Sequence, residues 1–578
     1  MPKRKRESKK EVVGHDPFAD MDMDWLEQEN GELYIKVLGD DPFEDVDLEW
    51  EVLTEEGEGR PSVGQAEDDS FLDVTEGFAV EQAVVERASL ERVFEEGVGE
   101  LEVQPRPEEP LQPVPPTGVA PVKGPLRYPA VREEVVSRPA ATFYFPADFR
   151  WGVTTSAHQV EGDNMHNDWW AWEQQEGRIK RGQASGLACD WWENAEADFD
   201  RAAELGLNAL RLSIEWSRVE PAPGEFDDGA LTRYGHMLAG LRERGIEPMV
   251  TLHHFTNPHW LAEQGGWENS GVVALFARFV RRTVESLGQY CDLWCTINGL
   301  NVYGYLGYVE GVFPPGQSDF KVAMRVIRHL LAGHAAAYRE IHTLQPQARV
   351  GIAHAMRVFD PANPRSFLDR RVARRMDKVY NQAVLSALTR GVWMPPLGFG
   401  LAWKLRRTLD WIGLNYRTRD LVAFDRAHPQ TLFGRRQTAG EAGHLESDGG
   451  ECYPRGIFRC LQRLARLELP VYVTENGVAD ADGDRRPQYL LTHLHQVWRA
   501  LQLGCPVMGY YHRTLVDSFE WTDGWTRRFG LIALDPETQA RTPRDSAALC
   551  AEVVGVNGIN PHMIDTYAPE LRSELLPG

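Results

Sequence analysis

The sequence predicts an α/β protein: a (β/α)8 TIM barrel preceded by a long acidic, largely disordered N-terminal extension. Two observations predict it. After residue 143, eight short apolar runs follow one another, separated by stretches with helical periodicity, whereas the chain before that point is highly charged and lacks sustained periodicity. Near-continuous apolar strands alternating with helices indicate a parallel sheet covered on both faces, and eight such units close into a barrel.

The extension, residues 1–140, carries most of the charge. The 578 residues have a net charge of −24 at pH 7, and residues 1–140 hold 35 Asp and Glu against 15 Lys and Arg, which is −20. High charge with few core-forming residues leaves too little apolar burial to offset the entropy of ordering, so we expect disorder. A proline-rich run at 103–125, typical of an extended spacer, leads toward the barrel.

Two segments of the extension resemble each other. "DPFADMDMDW" at 16–25 recurs as "DPFEDVDLEW" at 41–50. Acidic segments with Phe and Trp anchors are typical of short docking motifs, so residues 16–50 are a candidate binding segment for a protein partner. Chance similarity in biased sequence, or a small pair of hairpins, would explain the repeat equally. The basic cluster KRKR at 3–6 resembles a nuclear targeting signal, although such clusters are common in N-terminal tails.

Composition argues against several classes of function. The chain has no apolar run of 18 or more residues and no apolar stretch after its charged start, so we expect a cytoplasmic protein without a membrane partner. Residues 141–578 are close to neutral and offer no basic face for nucleic acid. Seven scattered cysteines, without a CxxC pair or zinc-like spacing, indicate reduced thiols and no metal site.

The barrel domain, residues 141–578, contains the eight predicted strands. They are 149–157, 208–214, 247–254, 292–298, 349–355, 410–416, 470–476 and 506–512. Among the helical stretches between them, 271–288 is clear, because its apolar residues recur at three- and four-residue steps. Active sites of such barrels lie at the carboxyl ends of the strands.

Polar residues at the predicted strand ends are therefore the candidate site residues. They are Gln159, Arg211, His253, His254, Asn298, Asn415, Tyr416, Glu475 and His512. Glu475 is the strongest candidate for a catalytic carboxylate, since an unpaired charge at a barrel strand end is costly without a role. Arg211 would pair with it and hold it ionised. A purely structural ion pair at the barrel mouth would give the same pattern.

Seven motifs link these strand ends to a known family. In chain order they read "WGVTTSAHQVEG", "RLSIEWSR", "TLHHFTNPHWL", "TINGLN", "GLNY", "YVTENG" and "DSFEWTDGWTRRFGLIALD". Together they resemble glycoside hydrolase family 1, the β-glucosidase family, over roughly residues 143–556. The resemblance implies a retaining mechanism with a nucleophilic carboxylate and an acid/base carboxyl about 5–5.5 Å apart. It also implies a sugar or glycoside ligand and no cofactor.

The resemblance assigns roles to residues of this chain. Glu475, in TENG, matches the nucleophile, and Arg211 matches the arginine beside it. Gln159, His254, Asn298, Glu520 and Trp521 match residues that hold the sugar hydroxyls. Asn415 and Tyr416 match the start of the family pattern N-Y-Y, which places Asn415 among the substrate-binding residues and Tyr416 among the catalytic ones.

Three positions depart from the family pattern. In T-(F/I/L)-N-E-P the glutamate is the acid/base, but here Asn298 is followed by Gly299 and Leu300, so the proton donor is missing. Arg513 stands where the family has the tryptophan on which the sugar stacks, and Arg417 replaces the second tyrosine of N-Y-Y. Either arginine would bind a ligand carboxylate, phosphate or sulfate, or would instead turn to solvent or pair with an acidic neighbour.

Loss of the acid/base residue defines two alternative functions. General acid–base assistance is worth roughly 10²–10⁴-fold, so a retaining β-glycosidase without it is expected to act only on activated or anionic substrates. The alternative is a catalytically inactive barrel that binds a sugar or glycoside and docks a partner through its acidic extension. A purely structural barrel is disfavoured, because it has no reason to keep polar residues at its strand ends.

Overall fold

A computed structural model describes residues 26–29, 32–35, 143–428, 431–437 and 451–576. The KRKR cluster, both copies of the acidic repeat and the proline-rich run lie outside the described residues, so the expectations for them remain predictions. The chain divides into two compact units: Asp22–Ala120, and Met1–Met21 with Pro121–Gly578. In the smaller unit, strands β1 (Leu26–Glu29) and β2 (Glu32–Ile35) pair antiparallel, with Leu26 opposite Ile35.

The described strands of the larger unit alternate with helices in the predicted manner. They are β3 (Phe143–Tyr144), β4 (Arg150–Thr154), β5 (Ala209–Ser213), β6 (Glu247–Thr251), β7 (Leu293–Asn298), β8 (Arg349–Pro361), β9 (Trp411–Phe424), β10 (Gly434–Gln437), β11 (Val471–Asn476), β12 (Val507–His512), β13 (Ile532–Leu534), β14 (Arg541–Pro543) and β15 (Gly558–Ile559).

Eight of these strands form a closed parallel barrel, which confirms the predicted fold. The order around the barrel is β4, β5, β6, β7, β8, β9, β11, β12, and β12 pairs with β4 to close it. Each barrel strand coincides with one of the eight predicted runs. Because all eight run in the same direction, their carboxyl ends meet at one mouth, which is where chemistry is expected.

Two barrel strands are longer than predicted. β8 and β9 continue past the barrel as a ribbon, in which Asp360 pairs with Leu421, and β10 joins the edge of β9 antiparallel. Ion pairs cross this ribbon: Arg357 Nη1 lies 3.0 Å from Asp420 Oδ2, and Arg419 Nη1 lies 3.4 Å from Asp360 Oδ2. Opposite charges on neighbouring strands help to stabilise this ribbon, together with apolar side chains such as Phe359 and Val422.

Helices cover the outside of the barrel and connect its strands. They are α1 (Ala157–Val160), α2 (Asp168–Glu173), α3 (Trp191–Glu204), α4 (Trp216–Val219), α5 (Asp228–Glu243), α6 (His259–Glu263), α7 (Val272–Leu287), α8 (Leu300–Tyr308), α9 (Phe320–Leu344), α10 (Phe367–Asp377), α11 (Ala383–Thr389), α12 (Pro454–Ala465), α13 (Arg486–Gln502), α14 (Asp545–Val556), α15 (Pro561–Tyr567) and α16 (Arg572–Leu575). A π-helical turn, Lys378–Gln382, joins α10 to α11.

The predicted helix at 271–288 is confirmed as α7. Its apolar face buries Phe276, Phe279, Val280 and Val284. No helix among the described residues combines the length and the apolar character needed to cross a membrane.

The barrel interior is filled below the mouth. Its buried side chains are Ala209, Met249, Leu293, Cys295, Ala353, Trp411, Tyr472 and Tyr511. The rings of Trp411 and Tyr472 lie edge to face with centroids 5.3 Å apart. At the amino-terminal end, Arg349 Nη2 lies 2.7 Å from Glu247 Oε1 and 2.6 Å from Asp292 Oδ1. This packed floor leaves only the opposite end open to a ligand.

Candidate active site

Glu475 and Arg211 meet at the mouth of the barrel. Glu475 lies on β11 and Arg211 on β5, and both side chains are buried. Arg211 Nη1 donates to Glu475 Oε1 at 2.9 Å. The two residues are 264 positions apart in sequence and come together because parallel strands end at the same edge, which is the arrangement expected from the sequence.

The remaining donors of Arg211 hold the neighbouring strands in register. Nη2 donates to Asn298 Oδ1 at 2.7 Å, and Nε donates to Thr251 Oγ1 at 3.0 Å. Asn298 Oδ1 also accepts from Asn415 Nδ2 at 2.9 Å, while Thr474 Oγ1 donates to Asn415 Oδ1 at 2.7 Å. Five strand ends thus share one polar network, which fixes the orientation of the Glu475 carboxylate.

His254 presents an unused donor to this site. Asn298 Nδ2 lies 2.8 Å from His254 Nε2 and donates to it, which places the imidazole proton on Nδ1. Burial, with smaller contributions from Arg211 and Arg513, holds the pKa of His254 well below its ordinary value, so the ring is neutral. Nδ1 is buried without a hydrogen-bond partner among the described residues. A buried N–H without an acceptor is costly, and a ligand oxygen would relieve that cost.

Arg513 and Glu520 form the opposite wall. Arg513 Nη2 pairs with Glu520 Oε2, and Nη1 lies 3.8 Å from Glu475 Oε2. Ser518 Oγ donates to Glu520 Oε1 at 3.0 Å. Burial raises the pKa of Glu520, and the positive charge of Arg513 partly offsets the rise. Of the two alternatives considered for Arg513, pairing with an acidic neighbour is the one found here.

Arg417 and Arg513 share an aromatic platform. The guanidinium carbons lie 5.2 Å and 4.8 Å from the ring centroid of Phe529, and both residues line the cavity. Phe529 lies in the quoted motif "TRRFGLIALD", but nothing in the sequence pointed to it as a support for two cations. Two guanidinium groups on one ring make this wall strongly positive.

Gly299 lies where β7 passes into α8. Its φ is +50°, in the left-handed region that favours glycine, and its N–H donates to Ala353 O at 2.8 Å. A Cβ at this position would lie 3.3 Å from ring atoms of Phe255 and 3.5 Å from Val302 Cβ. Glycine therefore suits both the backbone conformation and the tight contact with Phe255, and its missing side chain leaves space beside the mouth.

One continuous cavity of about 430 Å³ runs from Glu475 past Gly299. Beyond Gly299 it widens between α8, α9, the π-helical turn and the β8–β9 ribbon. Apolar side chains line this outer part: Val302, Leu306, Phe320, Met324, Ile327, Met356, Phe359, Met376 and Val379. Ion pairs Glu310–Arg436 and Arg357–Asp420 border it. The arrangement offers a small polar inner pocket joined to a larger apolar one.

Asn301 is a cavity residue that the sequence did not reveal. Its Nδ2 donates to Ala355 O at 2.8 Å and to Tyr380 O at 3.1 Å, while the buried Oδ1 has no hydrogen-bond partner among the described residues. It follows Gly299 by two residues on α8, inside a helix start that carried no separate signal. Asn301 lines the cavity and so places an unused acceptor in its wall.

Trp521 and Gln159 differ in how far they reach the cavity. Trp521 lines it, with its ring stacked on His254 at a centroid distance of 6.1 Å. Gln159 lies just behind the wall, where Nε2 donates to Phe519 O at 2.8 Å and Oε1 accepts from Ser156 Oγ at 2.8 Å. The amide of Gln159 is therefore engaged by the protein itself rather than turned to the cavity.

Tyr416 requires a correction. It was placed among the catalytic residues, but its ring is fully buried outside the cavity, and its hydroxyl donates to Tyr453 O at 2.7 Å. Neighbouring residues on a strand point to opposite faces, so when Asn415 faces the mouth, Tyr416 must face the helices outside the barrel. The placement gives Tyr416 a packing role and removes it from the catalytic group.

Comparison with known proteins gives one consistent result. The model of Glycosyl hydrolase family 1 matches residues 141–559. The chain is 32% identical over 446 residues to Beta-glucosidase A of Thermotoga maritima, covering 72% of this chain and 98% of that protein. It is 31% identical over 518 residues to the Beta-galactosidase of Pyrococcus woesei, covering 75% of this chain and 100% of that protein.

Solved structures agree with the sequence matches. The beta-glycosidase from Pyrococcus horikoshii superposes with a TM-score of 0.69 at 33% identity, covering 74% of this chain and 98% of that one. The beta-glucosidase from Thermotoga maritima in complex with glucoimidazole gives a TM-score of 0.69 at 31% identity, covering 72% of this chain and 100% of that one. The family match covers the barrel and leaves residues 1–140 outside it.

Proposed function

The chain belongs to glycosyl hydrolase family 1, and from that premise we propose that it is a retaining β-glycosidase whose substrates carry activated or anionic groups. It acts on β-glucoside-type compounds, with Glu475 as the nucleophile. The observation that carries this proposal is the Glu475 carboxylate, held by Arg211 at 2.9 Å and open to the cavity. The ion pair holds the carboxylate at the cavity, from which it would attack the anomeric carbon.

The inner pocket is suited to a sugar ring. The free Nδ1–H of His254 would donate to one sugar hydroxyl, and the buried carboxyl of Glu520 would accept from others. Asn298 and Asn415 hold the pocket together, and Trp521, which lines the cavity, gives the ring an apolar surface. The complex of the Thermotoga maritima beta-glucosidase with glucoimidazole supports a sugar-like ligand in the corresponding barrel.

Gly299 determines which substrates turn over. In the first step, Glu475 forms a bond to the anomeric carbon while the bond to the leaving oxygen breaks, and the leaving group departs with the electron pair. Because Gly299 donates no proton, this group must be stable as an anion, as a phenolate with a low pKa is. The apolar outer part of the cavity, which begins at Gly299, has the character and room for such an aromatic group.

The second step requires an outside base or an anionic nucleophile. Water attacking the glycosyl–Glu475 ester must lose a proton, and no carboxylate stands at position 299 to take it. A small anion such as azide carries no proton to lose and fits the space beside Gly299. Glu310, the carboxylate just after α8, is a possible replacement in sequence, but it pairs with Arg436 at 2.6 Å on the border of the outer cavity.

Positive charge at the inner wall supports the anionic part of the proposal. Arg417 and Arg513 both face the cavity above Phe529. Arg513 is bound to Glu520, and a ligand carboxylate, phosphate or sulfate beside Phe529 would lie near both guanidinium groups. A substrate that brings its own carboxylate would also supply the base that the chain lacks.

A leaving-group series tests the proposal. Aryl β-glucosides from phenyl to 2,4-dinitrophenyl are compared by kcat/KM, and we expect the dinitrophenyl compound to exceed the phenyl compound by at least about 100-fold, the size of the missing acid assistance. Azide should accelerate the dinitrophenyl reaction and yield β-glucosyl azide. Glu475→Gln with the same substrate is the control for chemistry outside the site. A flat dependence on the leaving group would reveal an acid and refute the role given to Gly299.

The inactive, glycoside-binding barrel remains the second candidate, and one observation favours it. Glu475 lies within 2.9 Å of Arg211 and 3.8 Å of Arg513, and two cations around one carboxylate reduce its nucleophilicity. In that case an uncleavable aryl β-thioglucoside binds in calorimetry while no aryl glucoside turns over. The acidic extension, residues 1–140, would then be a separate docking part that acts through residues 16–50. Deleting residues 1–130 should abolish partner capture and leave sugar binding intact.

A further inference from the structure

A projecting loop between α11 and β9 exposes three large apolar side chains. We name residues 390–407 the aromatic loop. Phe399, Leu401 and Trp403 are 85%, 75% and 68% exposed, although nearly all other large apolar side chains of the described barrel are buried or half-buried. Such a cluster is unfavourable in water and marks an interaction surface.

The aromatic loop is held in a defined shape. Trp393 N–H donates to Gly400 O at 2.9 Å and Ala402 N–H donates to Gly391 O at 2.6 Å, so the two arms pair across the loop. Leu397 and Leu405 are buried and anchor it to the barrel. Phe399 lies at the tip between Gly398 and Gly400, whose φ values of +143° and +92° require glycine. The exposure is therefore a feature of the folded loop.

Cations surround the exposed apolar side chains. The sequence between Asp377 and Asp410 contains no Asp or Glu, whereas the whole chain has a net charge of −24. Exposed basic residues lie on the aromatic loop and on α9 beside it: Arg328, Arg339, Arg390, Lys404, Arg406 and Arg407. Within the part of the chain that the structure describes, Lys404, Arg406 and Arg407 are not paired with any carboxylate. This local charge is complementary to an anionic surface.

We propose that the aromatic loop docks the protein on an anionic lipid surface. Phe, Leu and Trp at the tip would enter the interface between headgroups and acyl chains, while the basic residues around them bind lipid phosphates. Exposed apolar side chains beside exposed cations, with no Asp or Glu between Asp377 and Asp410, are the combination that an anionic lipid surface binds. Such a contact needs no membrane-spanning segment. The expectation of no membrane partner was drawn from the lack of long apolar runs, and that lack excludes a spanning segment but not binding at the surface.

The aromatic loop lies outside the cavity that contains Glu475. The aromatic loop leads into the amino-terminal end of β9, whereas Glu475 lies near the carboxyl end of β11. None of residues 390–407 lines the cavity, although the loop contacts Arg328 on α9, whose neighbour Ile327 does. A protein docked by this loop would keep its cavity open to the medium, and substitutions in the loop should not alter the cavity.

Vesicle sedimentation with the full chain tests the proposal. Vesicles of phosphatidylcholine with about 30% phosphatidylglycerol are compared with pure phosphatidylcholine at low and high salt. We expect binding to the anionic vesicles, weakened by salt, and little binding to the neutral ones. The double variant F399S/W403S should lose at least about tenfold in partition coefficient. Arg406→Gln with Arg407→Gln should lose about fivefold for each charge.

A matched control uses another exposed aromatic residue. Phe367 is 63% exposed at the start of α10, which follows β8 and therefore belongs to the opposite end of the barrel. Phe367→Ser should bind vesicles like the unaltered chain, and thermal unfolding should show that all variants fold. The proposal is overturned if the unaltered chain ignores anionic vesicles or binds neutral ones equally, or if Phe367→Ser weakens binding as much as the loop variants. Self-association that F399S/W403S abolishes, without vesicle binding, would assign the loop to a contact between copies and also overturn it.

Discussion

Arg211 Nη1 donates to Glu475 Oε1 at 2.9 Å, and this contact joins two barrel strands at the mouth of the cavity. Arg211 is fully buried and also donates to Asn298 and Thr251. One guanidinium thus fixes both the position of the carboxylate and the positions of the strand ends around it. The proposed chemistry depends on this pair, and the following predictions test it and its surroundings.

Arg211→Met should both destabilise the fold and abolish the activity of Glu475. It leaves the buried Glu475 carboxylate without its closest partner, and removing one member of a buried pair typically costs about 3–5 kcal/mol. Thermal unfolding measures the loss, and the burst of phenolate from a dinitrophenyl glucoside measures the site. Arg211→Lys, which keeps the charge, should recover part of the stability. Equal unfolding midpoints for all three proteins would show that the pair contributes little.

Gly299→Ala should destabilise the fold more than Gly177→Ala. Both glycines have positive φ, +50° and +77°, so alanine costs about 1 kcal/mol at either site. Gly177 has open space around it, whereas a Cβ at Gly299 lies 3.3 Å from Phe255. The shift in unfolding midpoint of each variant measures the difference. Identical shifts would mean that Phe255 yields without cost and that steric contact plays no part at Gly299.

Acid should unfold the barrel well above the pH at which exposed carboxylates titrate. Burial lowers the pKa of six histidines to about 3 or 4: His253, His334, His354, His493, His495 and His512. Such groups are neutral in the fold and take up protons in the unfolded chain below its ordinary pKa of about 6.5. The folded state therefore keeps its full free energy of unfolding above about pH 6.5. Each of these histidines lowers that free energy by up to about 3 kcal/mol as the pH falls toward 4.

Asp168 works in the opposite direction. Burial raises its pKa to about 7, so the folded state holds a proton that the unfolded state releases, and its contribution to stability falls as the pH rises from about 4 to 7. Burial also raises the pKa of Glu161 and Glu520, but these three carboxyls are outnumbered by the six histidines. We therefore expect the free energy of unfolding, measured by urea titration, to fall steeply between pH 6.5 and 4. A stability that stays flat across this range would contradict the burial of neutral imidazoles.

Arg417→Met and Arg513→Met should separate the two cavity cations. Arg513 is bound to Glu520, so its loss should weaken binding of every sugar. Arg417 is proposed to bind an anionic group, so its loss should weaken binding of an uncleavable β-thioglucuronide by about tenfold or more and leave the thioglucoside unchanged. Calorimetry with both ligands measures this. Equal weakening of both ligands by Arg417→Met would remove the anion preference.

The barrel could be predicted because its strands are buried on both faces. Near-continuous apolar runs identified all eight, whereas the outer parts of β8 and β9 contain Arg357, Asp360, Arg419 and Asp420 and resemble loops in sequence. They are strands because these charges pair across the ribbon. The residue pattern of one strand does not show which charged residues on another strand it pairs with. The ribbon was therefore not predicted.

The sequence predicts those site residues whose place depends only on their position along a strand. Glu475 and Arg211 meet because both lie near the carboxyl ends of parallel strands. Tyr416 was assigned wrongly because side chains alternate between the two faces of a strand. Asn415 points into the barrel mouth, so Tyr416 points outward, and a motif match does not show this direction. Asn301 lies on a helix rather than a strand, and its approach to the cavity depends on how α8 packs against Ala355 and Tyr380.

Covalent trapping of Glu475 tests the central claim most directly. The full chain is incubated with a 2,4-dinitrophenyl 2-deoxy-2-fluoro-β-glucoside, with galactosyl and glucuronyl analogues beside it, and examined by intact mass and peptide mapping. The account predicts a stoichiometric adduct on Glu475 with at least one of these sugars, absent in Glu475→Gln. A folded chain that none of the three sugars labels, while a thioglycoside binds in calorimetry, would contradict it and make the barrel a glycoside-binding protein.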